Sequence, residues 1–396
     1  MLENTTTRDS DVRYAVRFEK QLQAADADLY GGEANNWPGA GDELKNKSKM
    51  DRQTGREYYT EASANGTQFN GIKRITAELP TAGGVVVDGW NQGIERLLLA
   101  AIGYASVAGP SPVEQHPGFF RHFFAIPPRG KNQRRYTEEE AQQAGDSYSE
   151  SDIINMYLCI SQEMGPYAEH MRNVAIKDVE ISSSMKSPLQ ITMSGPAERI
   201  DTEYSKESVK AWSTAPGAFE NLFLMYEFKC YLSPAGQPMQ SHSITEFSFK
   251  ASHGLADDNT PTGTSNNGLS RAEPLPAGKS TITLDITIYL HDKPLYEDWQ
   301  KNETVLQCKL VAAKGNYRFA MLFPRLQITQ TTVNVDGASS IQMSMEASWP
   351  NSEAELAAMA SSFEEERGGM EWPQTSVMGL IVTSKESRNP MRDMEG

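Results

Sequence analysis

Sulfur cannot hold this chain together. Cys159, Cys230 and Cys308 are spread over 396 residues without metal-ligand or redox spacing. Three such cysteines exclude a disulfide framework and read as small buried side chains. Basic charge is also short. Lysine and arginine number 37 against 52 aspartates and glutamates, a net charge of −15. A protein that grips nucleic acid by its phosphates needs the opposite balance. Long apolar runs are missing too. The longest, near Leu97–Ile102, falls far short of the roughly 20 residues that span a bilayer, so no membrane segment is expected. The N-terminal MLENTTTRDSDVR has no apolar signal core, and synthesis in the cytoplasm is expected.

Recognisable chemistry is the last absence. The sequence has no G-x-S-x-G elbow, P-loop, dinucleotide fingerprint or H-E-x-x-H. Its six histidines are scattered, with His116 and His122 the closest pair. Glu364-Glu365-Glu366 is a solvated run at a helix end. The expectation is a chain that is not an enzyme and takes no cofactor or metal.

Strands and turns make up what is present. Thr281–Leu290 alternates without a fault. Ile282, Leu284, Ile286, Ile288 and Leu290 fall on one face, and Thr283, Asp285 and Thr287 on the other. Asp292 and Pro294 then open a short helix over 294–301. In His242–Ser252, Phe247 and Phe249 point inward while Glu246, Ser248 and Lys250 point outward. Further strands are read over 69–79, 85–87, 119–126, 157–162, 174–182, 189–194, 219–232, 305–312, 317–329, 341–349 and 377–383. Trp90–Ile102 is a helix, with Ile94, Leu97, Leu98 and Ala101 on one face. Gly83-Gly84 reads as a turn, and Gly254–Gly278 as a long exposed loop. Residues 1–60 are polar and broken, and read as an arm or long loop in which Val12–Leu22 forms one strand or helix turn, with Tyr14, Val16 and Phe18 on one face.

The order strand, helix, strands occurs twice. Val179–Ser182 parallels Leu326–Thr329, and Leu189–Ser194 parallels Ile341–Glu346. This points to a duplication whose first copy carries an insertion at about 108–152.

The second half carries a resemblance. An aromatic strand (Ile244–Phe249), a long loop, the alternating strand, one short helix and strands ending Leu326–Thr329 and Ile341–Met345 resemble the tail tube domain of long, non-contractile phage tails. The resemblance implies a mainly β fold: two β-sandwich tube domains, each with a flanking helix, whose inner sheets join into an oligomeric β-barrel. It divides the chain into an arm (1–60), a first tube-like domain (61–205) and a second one (206–396) with a helical excursion at 353–367. Glu246, Ser248, Lys250, Thr283, Asp285 and Thr287 would face the lumen. Phe247, Phe249, Ile282, Leu284, Ile286, Ile288 and Leu290 would form the barrel and sandwich core. The implied function is a structural virion protein of the tail, stacked as rings into the tube through which double-stranded DNA passes at ejection. Two domains per chain imply a homotrimer with pseudo-sixfold symmetry, and one domain a homohexamer. A tape measure protein and a tail terminator are the implied partners. The arm and the 254–278 loop are candidates for contacts between rings. Other readings are a tail completion or baseplate hub protein, and a β-sandwich binding module.

Overall fold

The structure is a computed structural model. It describes residues 13–18, 43–44, 49–60, 73–88, 94–102, 110–125, 133–135, 153–155, 158–164, 167–197, 199–203, 223–234, 237–255, 280–289, 305–334, 340–349, 352, 354, 358, 361–370, 372 and 376–385. Leu290, the helix read over 294–301 and most of the 254–278 loop lie outside these residues.

Strands dominate. The first half runs β1 (Arg13–Phe18), β2 (Glu43–Leu44), β3 (Lys49–Thr60), β4 (Lys73–Asp88) and helix α1 (Ile94–Ile102). Next come β5 (Ser111–Pro112), β6 (Phe120–Ala125), β7 (Gln133–Arg135) and β8 (Ile153–Asn155). β9 (Leu158–Met164), β10 (Tyr167–Val174), β11 (Asp178–Ser184), β12 (Ser187–Pro196) and β13 (Arg199–Glu203) complete this half. The second half runs β14 (Phe228–Pro234), β15 (Gln240–His242), β16 (Ile244–Ser252), β17 (Thr281–Tyr289) and β18 (Val305–Lys314). It ends with β19 (Tyr317–Asn334), β20 (Ser340–Ala347), the single helical turn α2 (Glu364–Arg367) and β21 (Gly379–Ser384).

One continuous path of pairing strands, β15-β14-β18-β19-β20-β17-β16-β11-β12-β4-β3, crosses from one half to the other. The long strand β19 makes it two layers. Its first part, Tyr317–Gln327, pairs with β18 and β21, while Leu326–Asn334 pairs with β20, with a bulge between Ile328 and Gln330. A bulge bends its strand and re-aims it. The two layers face each other. Phe228 of β14 lies 4.8 Å from Phe247 of β16, and Phe323 of β19 lies 5.9 Å from Phe249. Phe249, Leu284, Met343 and Met345 are fully buried between them. Each such side chain contributes about 1.5–3 kcal/mol relative to exposure.

A separate sheet of the first half has the order β13-β10-β9-β1-β2. In the second half, β15 lies beside β14, then β18, the first part of β19, and β21. Read in reverse, as β2-β1-β9-β10-β13, the first order is like the second strand for strand. The other layer matches as well: β11-β12-β4-β3 in one half, and the end of β19 with β20-β17-β16 in the other. The register also shows where the sequence parallel slips. Val179 pairs with Met193, and Ile328 with Met345. With Met193 set against Met345, the pairing sets Val179 against Ile328, two residues beyond Leu326.

Several expectations need correction. The segment read as an arm is more than that: Val12–Leu22 supplies β1, paired with β9, and the segment also contains β3, paired with β4. β3 reads KMDRQTGREYYT, which gives no apolar alternation to reveal a strand. Gly83-Gly84 lies inside β4 rather than in a turn, next to irregular register on both neighbours, where glycine is at home. The strand read over 174–182 breaks at Ala175–Lys177, where the chain leaves β10 for β11. The segment read over 219–232 is a 3-10 turn at Met225–Glu227 followed by β14.

The insertion delivers β6 to β21, and so widens the outer layer of the second half. Here Phe123 packs on Trp372 at 5.6 Å, and Trp372 on Phe363 at 6.1 Å. With both faces covered, GLIVTS of β21 is buried at all six positions. Lys309 pairs with Glu366 at 2.5 Å and holds α2 against β18. Helix α1 is sunk into the core, with Leu98–Ile102 all buried. His253 ties its end by a hydrogen bond between Nε2 and the Ala101 carbonyl at 2.9 Å. The three cysteines are buried thiols, outside any disulfide. The hydrogen bond to Cys230, then burial, pushes the Cys308 thiol well above its usual pKa, so it stays protonated.

Candidate functional site

The layer that runs from the end of β19 through β20, β17, β16, β11, β12 and β4 to β3 is the inner layer. Its strands β20, β17, β16, β11 and β12 show one apolar and one polar face because they keep a two-residue period. β11 is buried at Val179, Ile181 and Ser183, and β12 at Leu189, Ile191 and Met193. β16 is buried at Phe247, Phe249 and Ala251, and β17 at Ile282, Leu284, Ile286 and Ile288. The intervening residues turn to the other face. Antiparallel register lines them up in rows. One row runs Gln190, Ser182, Ser248, Asp285, Ser344 and Gln330. The next runs Thr192, Glu180, Lys250, Thr283, Glu346 and Gln327. A third joins Ser184, Glu246, Thr287, Gln342 and Thr332.

All six residues expected on a channel wall are therefore neighbours on one surface. They come from only two strands, and the rows add residues that sequence reasoning did not name. Glu180, Ser182 and Ser184 come from β11, and Gln342, Ser344 and Glu346 from β20. The signal for them was available. Once Val179, Ile181, Met343 and Met345 are placed inward, their sequence neighbours must point outward. Phe247, Phe249, Ile282, Leu284, Ile286 and Ile288 all lie at 5% exposure or less on the opposite face.

The polar face is shallow. A trough of about 360 Å³ is lined by Glu180, Glu246, Ser248, Lys250, Asp285 and Thr287 among others. Hydroxyls hold two of its carboxylates down. Ser248 Oγ donates to Glu180 Oε1 at 2.8 Å across the junction of the halves, and Thr287 Oγ1 donates to Glu246 Oε1 at 2.8 Å. The described strands β11, β12, β16, β17 and β20 bring five carboxylates to this face: Asp178, Glu180, Glu246, Asp285 and Glu346. They bring one ammonium, Lys250, which sits directly opposite Glu180. Such a surface repels polyanions and offers them small polar contacts.

Among the described residues, the polar rows of β11, β12, β16, β17 and β20 carry no histidine or cysteine to form a nucleophile–base pair. A close hydroxyl–imidazole pair elsewhere, Ser161 Oγ to His170 Nδ1 at 2.6 Å, is buried on β9 and β10, with both residues at 1% exposure or less. Among the described residues, no group of three or more His, Cys, Asp or Glu could hold a metal ion. No described helix is long and apolar enough to cross a membrane.

A family model described as phage tail tube protein matches residues 23–355, well over half of the chain. No curated protein matches it.

Proposed function

We propose, from the premise that this chain belongs to the phage tail tube protein family, that it is a duplicated tube subunit, three copies of which close a pseudo-sixfold ring. The observation that carries this reading is the inner layer. Two four-strand units of the same order, β11-β12-β4-β3 and β19-β20-β17-β16, lie edge to edge in one chain. A ring of six units then needs three chains. A closed barrel leaves no strand edge exposed.

In this reading the units are residues 13–203 and 223–384, with the 111–155 segment inserted into the first. The polar face lines the channel of the virion tail. Double-stranded DNA slides past it, because the acidic excess denies phosphates the lysine contacts that release counterions and bind. The same reading makes the tail long and non-contractile, with a tape measure protein inside and a terminator at one end. Neither role asks for catalysis.

The test is assembly. Purified protein, concentrated at neutral pH, is expected to form tubes of indefinite length in negative-stain electron microscopy. Single rings that do not stack would favour a completion or hub protein. Monomers at every concentration would favour a binding module and end the tube reading.

A further inference from the structure

The two halves are tied in both layers. In the inner layer β11 pairs with β16. In the outer layer β6, carried by the insertion of the first half, pairs with β21 along its whole length. Ser384 Oγ, at the end of β21, also donates to Glu95 Oε1 at the start of α1, and both residues are buried. Stacked sheets lie about 10 Å apart. A junction held in one sheet alone can bend. A second tie in the other layer turns that bend into a stretch of the outer hydrogen bonds.

The outer tie is covered from outside. Phe123, Ala320, Leu322 and Ile381 belong to a cluster apart from the main core, which Phe363, Met370 and Trp372 close. Trp372 Nε1 donates to the Ser376 carbonyl at 3.0 Å, which sets the indole just before β21. Glu366 of α2 bonds Lys309 of β18 at 2.5 Å, with both side chains at 14% exposure or less. Arg121 of β6 lies in the field of the same carboxylate. Burial lowers the pKa of its guanidinium, and Glu366 works against that shift. Gly368 has a φ of +58°, and Arg121 Nη1 stands 1.4 Å from the place a Cβ would take, so α2 ends flat against the guanidinium. One carboxylate thus serves a cation of the second half and a cation carried over from the first. We infer that Phe363, α2, Trp372 and β21 form a clasp that fixes the angle between the two halves, with Glu366 as its ionic lock. The consequence for the tube rests on the duplicated-tube reading: the angle between units sets the curvature of the ring. The clasp itself does not depend on that reading.

The experiment spin-labels the unassembled full chain at Thr192→Cys and Gln327→Cys, the two ends of one polar row; the native thiols are buried. The labels span the β11–β16 junction over five strand spacings of about 4.8 Å each. Double electron–electron resonance is expected to give one narrow distance distribution. Adding Glu366→Lys, which sets a third cation against Lys309 and Arg121, is expected to broaden it. Trp372→Ala is expected to do the same, while Trp372→Phe keeps it narrow. Hydrogen exchange is expected to rise at Phe120–Ala125 in the two broadened variants and to stay unchanged at β16 and β17. In electron micrographs those variants are expected to give tubes of uneven width, or none. If Trp372→Ala fails to fold, Glu366→Lys decides. A distribution that stays narrow in the clasp variants overturns the clasp and leaves the angle to the inner layer. Uniform tubes from a broadened chain overturn its role in curvature. Unmodified protein that never forms tubes ends the tube reading, and the distance distributions still decide the clasp.

Discussion

Ile286→Lys is expected to yield no folded protein, while Asp285→Lys, one residue earlier on the same strand, folds normally. Ile286 is 1% exposed, between Phe247 and Met343 on the neighbouring strands. Removing an isoleucine side chain at such a site costs about 2–5 kcal/mol. Leaving an unpaired ammonium there adds several kcal/mol more. Together these approach or exceed the roughly 5–15 kcal/mol that holds a domain folded. Asp285 points to the polar face, where a substitution changes stability by about 0.5 kcal/mol or less. Circular dichroism and solubility separate the two variants. The Asp285→Lys protein then tests the channel itself. It turns the five carboxylates and one ammonium of β11, β12, β16, β17 and β20 into four and two. Tubes still form, and virions carrying the change are expected to release DNA more slowly in a dye-exclusion assay. Equal folding of both variants would dismantle the face assignment. Unchanged ejection would remove electrostatics from the account.

Gly195→Ala is expected to destabilise the chain by about 2–5 kcal/mol, more than its single added methyl group suggests. The methyl would stand 1.8 Å from the Ala175 carbonyl oxygen and 2.8 Å from its carbon. Both are backbone atoms, so no rotamer change relieves the clash. The backbone here is also tied on either side, by Ala175 N–H to the Pro196 carbonyl at 3.0 Å and Lys177 N–H to the Ser194 carbonyl at 2.8 Å. Overpacking costs about 1–3 kcal/mol, and each hydrogen bond stretched in making room about 0.5–1.5 kcal/mol. Residues 175–177 are where the chain passes from the outer strand β10 to the inner strand β11. Gly195 lets β12 lie against that crossing. A urea midpoint equal to that of the unmodified protein would show that the crossing yields freely.

The strands with one covered face were legible in the sequence. β16, β17 and β20 declare themselves because Phe247, Leu284 and Met343 alternate with Ser248, Asp285 and Ser344, and period two has no rival explanation over such lengths. Strands buried on both faces were harder. β10 carries buried His170 and Arg172 beside Met171, so its pattern is neither apolar nor alternating. β3 failed for the opposite reason, since its backbone pairs while its residues are mostly charged or polar. Nothing local announces that Phe120–Ala125 will pair with Gly379–Ser384, or that Asp178–Ser184 will meet Ile244–Ser252. Those pairings depend on how the halves meet, which no short window contains. The acidic face was half seen, because only β16 and β17 were taken as its walls. Its other members follow from the same parity applied to β11 and β20.

The symmetry of the ring tests the central claim most directly. Cryo-electron microscopy of assembled tubes in cross-section counts the chains in one ring. Three chains, each contributing two similar units and together closing one continuous inner barrel, is the expected result. Six chains per ring, or an inner wall in which the polar rows of β11, β16, β17 and β20 face away from the channel, would contradict it.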